Sequence, residues 1–415
     1  MDDDIQFYSS PSSMEPLFPE DPSGKLENLV MILISRSAKL SGALHPITQK
    51  ALVAVFRPMN SYYSNLIEGH DTHPIDIEKA LNNDYSDNKS KRILQEEALA
   101  HISLYQKIEE EIKADNSKVN PTSADFIKSI HQRFYEYLSD DLKKVTSLTG
   151  DVKIVIPGAL RLDEVKVGKH IAPLSTSLEK FMDRFEEFYN PNGPSNRSKI
   201  RRIISIAASH HRLAWIHPFL DGNGRVVRLY SDANFIFERL DASGLWSISR
   251  GLARKNSLYR SMLANADLQR YNDYDGRGNL SNRMLLEFCE FFFETAIDQI
   301  DFMYRMLDID HMLERIKKFT ELMAQKGKLR PEAALILSDI FLKGKITKSE
   351  AMQITNLSDK TLKLLTDSLA VLGLLEAKKE GIHINYYVKY PIRFSPVLFP
   401  GIYPGNKELE MFAAI

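Results

Sequence analysis

Residues 217–228, His-Pro-Phe-Leu-Asp-Gly-Asn-Gly-Arg-Val-Val-Arg, gather in one short stretch the groups that polyphosphate chemistry needs. Asp221-Gly222-Asn223-Gly224 favours a tight turn, because two glycines and an asparagine interrupt a helix. Helical texture resumes after it. Backbone N–H groups of such a turn, with the helix N-terminus that follows, converge on a small volume and attract anions. Arg225 and Arg228 are three residues apart, so both guanidiniums leave one helix face and suit bidentate contacts to phosphate. Asp221 is a hard oxygen ligand suited to a Mg²⁺ that bridges phosphates. His217, with its near-neutral titration, suits a general base. Pro218 fixes the backbone beside it, and Phe219 is expected to anchor the loop in the core. Alone, an Asp-Gly pair is commonly a turn and an arginine pair commonly a solvated face. It is their coincidence behind an apolar helix that points to a phosphate-and-metal site.

The elements that must hold this site read as mainly helical. Ile200–Trp215 is a mostly apolar helix leading straight into His217, and helices are expected again over Val226–Leu240, Asn256–Ala266 and Leu285–Met306. Upstream, Leu26, Leu29, Val30, Leu33 and Ile34 recur at helical spacing before Gly42 and Pro46. Further helical stretches cover Ser61–Glu68, stopping at Gly69, then Ile77–Leu81, Ile93–Ile112 and Ala124–Leu138. Residues 149–173 are β-prone around Pro157-Gly158 and Gly168, which predicts a hairpin or flap. Near Gly327 the texture changes: helices at Pro331–Phe341, Lys348–Thr355 and Ser358–Leu372 precede a β-rich stretch from Gly373. Three helices and a two-stranded wing spell a winged helix-turn-helix. The expected organisation is an extended arm over 1–24, a helical region over 25–120 with a helix at about 61–69, a core over 121–325, the winged module over 326–395, and an extended, proline-bearing tail over 396–415.

At 415 residues the chain exceeds one compact core, and its 43% hydrophobic and 26% charged residues exclude a wholly disordered or fibrous protein. The net charge of −1 gives no global bias toward nucleic acid or membrane. A single cysteine, Cys289, rules out an internal disulfide and suits a reducing compartment. The acidic, polar start lacks the features of a signal peptide. The apolar run Leu29–Ile34 falls far short of the roughly 20 residues that cross a bilayer. A cytoplasmic protein without a membrane partner is expected.

The 217–228 segment resembles the signature of the Fic (filamentation induced by cAMP) family, HPFx[DE]GNGRxxR, at every defined position, and Ile216 and His210 fit the usual run into it. The resemblance implies a mostly α fold: a Fic-type helical bundle with a short β-hairpin flap, here followed by the winged helix. It implies AMP transfer from ATP to a Ser, Thr or Tyr hydroxyl of a target protein, with release of pyrophosphate. His217 would then deprotonate the target, Asp221 would hold Mg²⁺, and Gly222, Asn223 and Gly224 would line the anion hole. Arg225 would contact the distal phosphates and Arg228 the γ-phosphate. Ser64-Asn65-Leu66-Ile67-Glu68-Gly69 likewise resembles the family's inhibitory motif. Ser64 and Glu68, four residues apart, share a helix face. A Glu68 carboxylate on Arg228 would misalign the phosphates of bound ATP.

The same resemblance assigns Leu160, Arg161 and residues 165–173 to a target-docking flap, with Val165, Val167, Gly168 and Ile171 at its edge. It places Asn256 and Tyr259 near adenine and ribose, alongside the plainer reading of packing and capping. Residues 273–281 echo DGNGR without a preceding histidine and read as a structured turn, with Ser281 a candidate helix cap. Residues 326–395 hold 12 Lys and Arg against 7 Asp and Glu. Lys360, Lys363, Lys378 and Lys379 suit phosphate contacts, yet no arginine lies on the expected recognition helix, so DNA binding, dimerisation and docking all stay open. Alternatives to an auto-inhibited AMPylase are a related enzyme using another nucleotide or removing AMP, and a DNA-binding regulator with an ATP-sensing core. A homodimer is compatible with each.

Overall fold

The computed structural model describes residues 8–146, 151–168 and 170–415. The first seven residues of the expected arm, and Thr149, Gly150 and Lys169 of the expected flap, lie outside the described residues. The chain runs through α1 (Lys25–Ser41), α2 (Pro46–Ile67), α3 (Pro74–Leu81), α4 (Lys89–Ala114) and α5 (Ala124–Glu136). Two small antiparallel hairpins follow, β1 (Lys144–Thr146) with β2 (Val152–Ile154) and β3 (Lys166–Val167) with β4 (His170–Ile171). Then come α6 (Leu178–Tyr189), α7 (Lys199–Ile216), α8 (Asn223–Phe237), α9 (Ile248–Arg254), α10 (Asn256–Ala266), α11 (Asn282–Met306) and α12 (Ile309–Gln325). The helical starts are set by side-chain caps: Asn88, Ser123, Ser198 and Ser281 each accept a backbone N–H from the first turn of α4, α5, α7 and α11.

The helix expected over about 61–69 is the end of the much longer α2. Pro46 sits in the first turn of α2, where a missing N–H costs nothing, and the His45 ring accepts from Ile47 N. Residues 58–65 of α2 are buried without interruption, because α3, α4 and α9 pack around it. Helices α7 and α8 pack on each other, with α4 and α5 against α8 and α11 against α7. The turn joining α7 to α8 therefore opens beside the end of α2. In place of one hairpin over 149–173 there are two, the first beginning at Lys144.

Beyond Gly327, α13 (Ala333–Lys343), β5 (Lys345–Thr347), α14 (Lys348–Thr355), α15 (Asp359–Val371), β6 (Leu375–Glu380) and β7 (His383–Val388) follow in order. The strands form one antiparallel sheet, β5-β7-β6. Lys360, Lys363, Lys378 and Lys379 are all exposed. The tail expected to be extended is instead largely helical, with α16 (Ser395–Leu398) and α17 (Gly405–Ala413). Two of its prolines sit where helices start, Pro396 in the first turn of α16 and Pro404 as the residue capping α17, while Pro400 falls in the turn between them. Phe399, Ile402 and Tyr403 between them are buried.

Residues 8–24 carry little regular structure beyond a short 3₁₀ turn at Pro11–Met14, yet Met14 and Leu17 are fully buried. The 273–281 turn clasps this arm. Leu280 N donates to Glu15 O at 2.8 Å and Asn279 Nδ2 to Ser13 O at 3.1 Å. A Cβ on Gly278 would lie 2.6 Å from the Glu15 carbonyl. Among the described residues no helix is long and apolar enough to cross a membrane.

Candidate active site

Helix α7 ends at His217, which takes the left-handed backbone conformation (φ 50°) while its N–H still bonds Leu213 O. A side chain with a β-carbon is uncommon there, and the surroundings hold it. Arg161 donates from Nε to His217 O at 2.9 Å and from its backbone N to Pro218 O at 2.9 Å. Phe219 is fully buried, stacked on His131 with centroids 4.0 Å apart. Asn223 closes the turn, accepting from Phe219 N at 2.9 Å and donating to Phe219 O at 2.7 Å. Its side chain is thus spent on the loop, and what it offers an anion is its backbone N–H at the start of α8. Gly222 (φ 76°) faces the Tyr135 ring, where a Cβ would come within 2.8 Å.

The His217 side chain is half-buried. Burial, then the nearby His170 and Arg161, push its pKa down to about 4, so the ring is neutral and able to accept a proton at pH 7. His170, on β4, bonds the Trp215 carbonyl through Nε2 at 2.7 Å and pairs with Asp267 through Nδ1 at 3.3 Å. Arg161 Nη2 donates to Pro173 O at 2.5 Å. The segment expected to be a flap is thereby tied to the backbone on both sides of His217. Val165 and Ile171 are half-buried, and Gly168 (φ 60°) makes the β3–β4 turn beside Val167.

On the inner side, α2 delivers Ser64 and Glu68 onto Arg228. Arg228 Nη2 donates to Glu68 Oε1 at 2.6 Å and to Ser64 O at 2.8 Å, and Nε donates to Ser64 Oγ at 3.0 Å. Burial opposes ionisation of Glu68, but Arg228 and Arg225 outweigh it and hold the carboxyl below its usual range. The carboxylate lies directly over Gly224: a Cβ there would be 2.2 Å from Glu68 Oε1 and 3.1 Å from Arg228 Nη1. Glu68 therefore occupies the anion position at the N-terminus of α8. Gly224→Ala is expected to evict the carboxylate and to crowd any phosphate that replaces it. An overpacking cost of about 1–3 kcal/mol corresponds to binding of a phosphate-bearing ligand weakened by about 5- to 150-fold, measurable by calorimetry.

Arg225 pairs with Glu97 of α4, and Asp221 Oδ2 accepts from Tyr135 Oη at 2.8 Å. Neither partner stood out in the sequence. Glu97 sits beside Glu96 on a charged helix and looks solvated, and Tyr135 falls on an apolar stripe. Arg260 was missed too; its Nη2 donates to Ile67 O at 2.8 Å, steadying the end of α2. Tyr259 is buried, bonded through its hydroxyl to His210 Nε2 at 2.7 Å and close to Arg228. Asn256 lies at the start of α10, where its Oδ1 accepts from Arg260 Nε at 3.2 Å.

Among the described residues, no cluster of three or more His, Cys, Asp or Glu side chains could hold a metal alone. A Mg²⁺ held by one carboxylate, water and substrate phosphates needs no such cluster. Asp221, with one oxygen engaged by Tyr135 and the α8 N-terminus alongside, fits that role.

Residues 121–233 match the model of the Fic/DOC family. Protein adenylyltransferase Fic of Drosophila mojavensis is 38% identical over 102 residues, which cover 24% of this chain and 20% of that protein. The Drosophila virilis protein of the same name is 35% identical over 101 residues, with 24% and 20% covered. The chain thus spans about a fifth of the length of these curated relatives. In fold it is similar to the crystal structure of a Fic family protein from Desulfovibrio desulfuricans G20, with a TM-score of 0.51 at 15% identity, covering 89% of this chain and 98% of that one.

Proposed function

For a chain that belongs to the Fic family through its domain at residues 121–233, we propose an auto-inhibited protein adenylyltransferase that moves AMP from ATP to a Ser, Thr or Tyr hydroxyl. The observation that carries this reading is the Glu68–Arg228 pair, 2.6 Å apart, set over Gly224 at the start of α8, in the turn that follows His217.

In the reaction so proposed, the target's hydroxyl oxygen attacks the α-phosphorus and a new P–O bond forms. The bond from the α-phosphorus to the bridging oxygen breaks, pyrophosphate leaves, and the hydroxyl proton passes to a ring nitrogen of His217. Arg225 and Arg228 hold the departing phosphates in line, and the first turn of α8 offers N–H groups to the same oxygens. Asp221 would hold a Mg²⁺, which supplies charge neutralisation on the phosphates when bound. The flap backbone, fixed by Arg161 and His170, offers a strand edge on which a target loop can add by β-pairing. At rest Glu68 holds Arg228, so ATP enters with its γ-phosphate unsupported.

Two labels of ATP test the transfer. Label in the α-phosphate is expected to appear on protein and label in the γ-phosphate in pyrophosphate; γ-label on protein with the α-label left in ADP would mean phosphoryl transfer and would refute the reading. Acidity gives a second check. With the His217 pKa lowered to about 4, the base form persists from pH 8 down to about 5. The kcat/KM profile, which reports the free enzyme, should therefore stay flat over that range and fall only as pH approaches 4. A fall centred near 6.5 would contradict the burial argument.

A further inference from the structure

We propose that Glu97 is a positioning residue: it presents Arg225 to the nucleotide phosphates, and through His70 it links that arginine to the segment carrying Glu68. This deepens, and rests on, the reading of the site as a nucleotidyltransferase.

Glu97 is fully buried on α4. One oxygen accepts from Arg225 Nη1 and the other meets His70 Nδ1 at 2.5 Å. A buried carboxylate beside an anion cradle works against phosphate binding, so its presence there calls for a compensating role. The geometry supplies one. The Arg225 guanidinium lies over the Phe134 ring, 5.2 Å from its centroid, and its Nε has no hydrogen-bond partner among the described residues. A guanidinium held at one nitrogen by Glu97 and lying over an aromatic ring is restricted in the directions it can present its remaining N–H groups. Without Glu97, only the contact with the Phe134 ring would aim it.

His70 stands two residues beyond Glu68, in the turn that ends α2, with its N–H on Asn65 O at 3.0 Å. Residues 68–70 therefore touch both arginines, Arg228 directly through Glu68 and Arg225 through His70 and Glu97. Removing the Glu68 side chain frees Arg228 and leaves the second link intact, so Arg225 stays aimed when the brake is lifted.

The test compares Glu97→Leu, Glu97→Gln and His70→Gln, each in a Glu68→Gly background, by steady-state transfer from labelled ATP and by ³¹P NMR of bound ATP. A misplaced phosphate ligand costs up to about 100-fold in rate. Glu97→Leu is thus expected to lose most of that factor in kcat, with KM for ATP changed less than about threefold. Glu97→Gln, which keeps an acceptor for Arg225, should recover about tenfold of it. His70→Gln, at a partly exposed position, should cost a small multiple of the rate and leave the fold intact. If Glu97→Leu unfolds, judged by circular dichroism, the other two variants decide: both within twofold of the parent overturns the proposal, as does any rise in transfer. If the Glu68→Gly parent transfers no AMP, the nucleotidyltransferase reading fails by itself. The Glu97 assignment then stands on phosphorus resonances of bound ATP that differ between the Glu97→Gln variant and the parent, and falls if they coincide.

Discussion

Replacing Glu68 with glycine is expected to raise AMP transfer by about 10- to 100-fold. The carboxylate holds Arg228 through a charge-assisted bond of 2.6 Å in a partly buried site, the arginine fully covered and the glutamate half-exposed. Bonds of this kind contribute about 1.5–3 kcal/mol, and each 1.4 kcal/mol is a factor of ten in rate. Arg228 keeps two further contacts in the variant, from Nε to Ser64 Oγ and from Nη2 to Ser64 O, so its side chain stays extended toward the cradle. What changes is that Nη2 and the space over Gly224 become open to a phosphate oxygen. ATP affinity should shift less than the rate, because the effect lies in alignment rather than in closure of the pocket. The measurement is initial-rate incorporation of labelled AMP, with calorimetric ATP binding beside it.

Replacing His217 with alanine is expected to cost about 10²- to 10⁴-fold in transfer, the range for losing a positioned general base. The loss should be nearly all in kcat. His217 holds its place through backbone contacts, its carbonyl to Arg161 Nε and its N–H to Leu213 O, and these survive the substitution. Nucleotide binding should therefore persist with an unchanged ATP dissociation constant. A variant that lost binding and rate together would point to a structural histidine instead.

Legibility of this site in the sequence followed distance along the chain. The His217–Arg228 segment was readable because turn formers, arginines and a carboxylate fall within a single loop and helix start. Glu68, 160 residues from Arg228, carried meaning only through its resemblance to a known inhibitory motif. Glu97 and Tyr135 lie 128 and 86 residues from their partners. Nothing in an isolated Glu or Tyr on an amphipathic helix distinguishes a solvated or core position from one that faces a site. Arg161 was noticed as part of a flap, yet its grip on the His217 carbonyl depends on a fold-level approach no periodicity encodes. The mainly helical architecture was legible from apolar spacing, as the solved Fic-family fold bears out. The C-terminal tail was misread because proline was weighed as a helix breaker, whereas at Pro396 and Pro404 it stands at helix starts.

Whether Glu68 restrains transfer by occupying Arg228 is decided by a double-mutant cycle. AMP-transfer rates are measured for the native chain, Glu68→Gly, Arg228→Ala and the double variant. Glu68→Gly is expected to raise the rate in the native background and to change it by less than about twofold once Arg228 is gone. An equal gain in both backgrounds would contradict this, since Glu68 would then act on something other than Arg228.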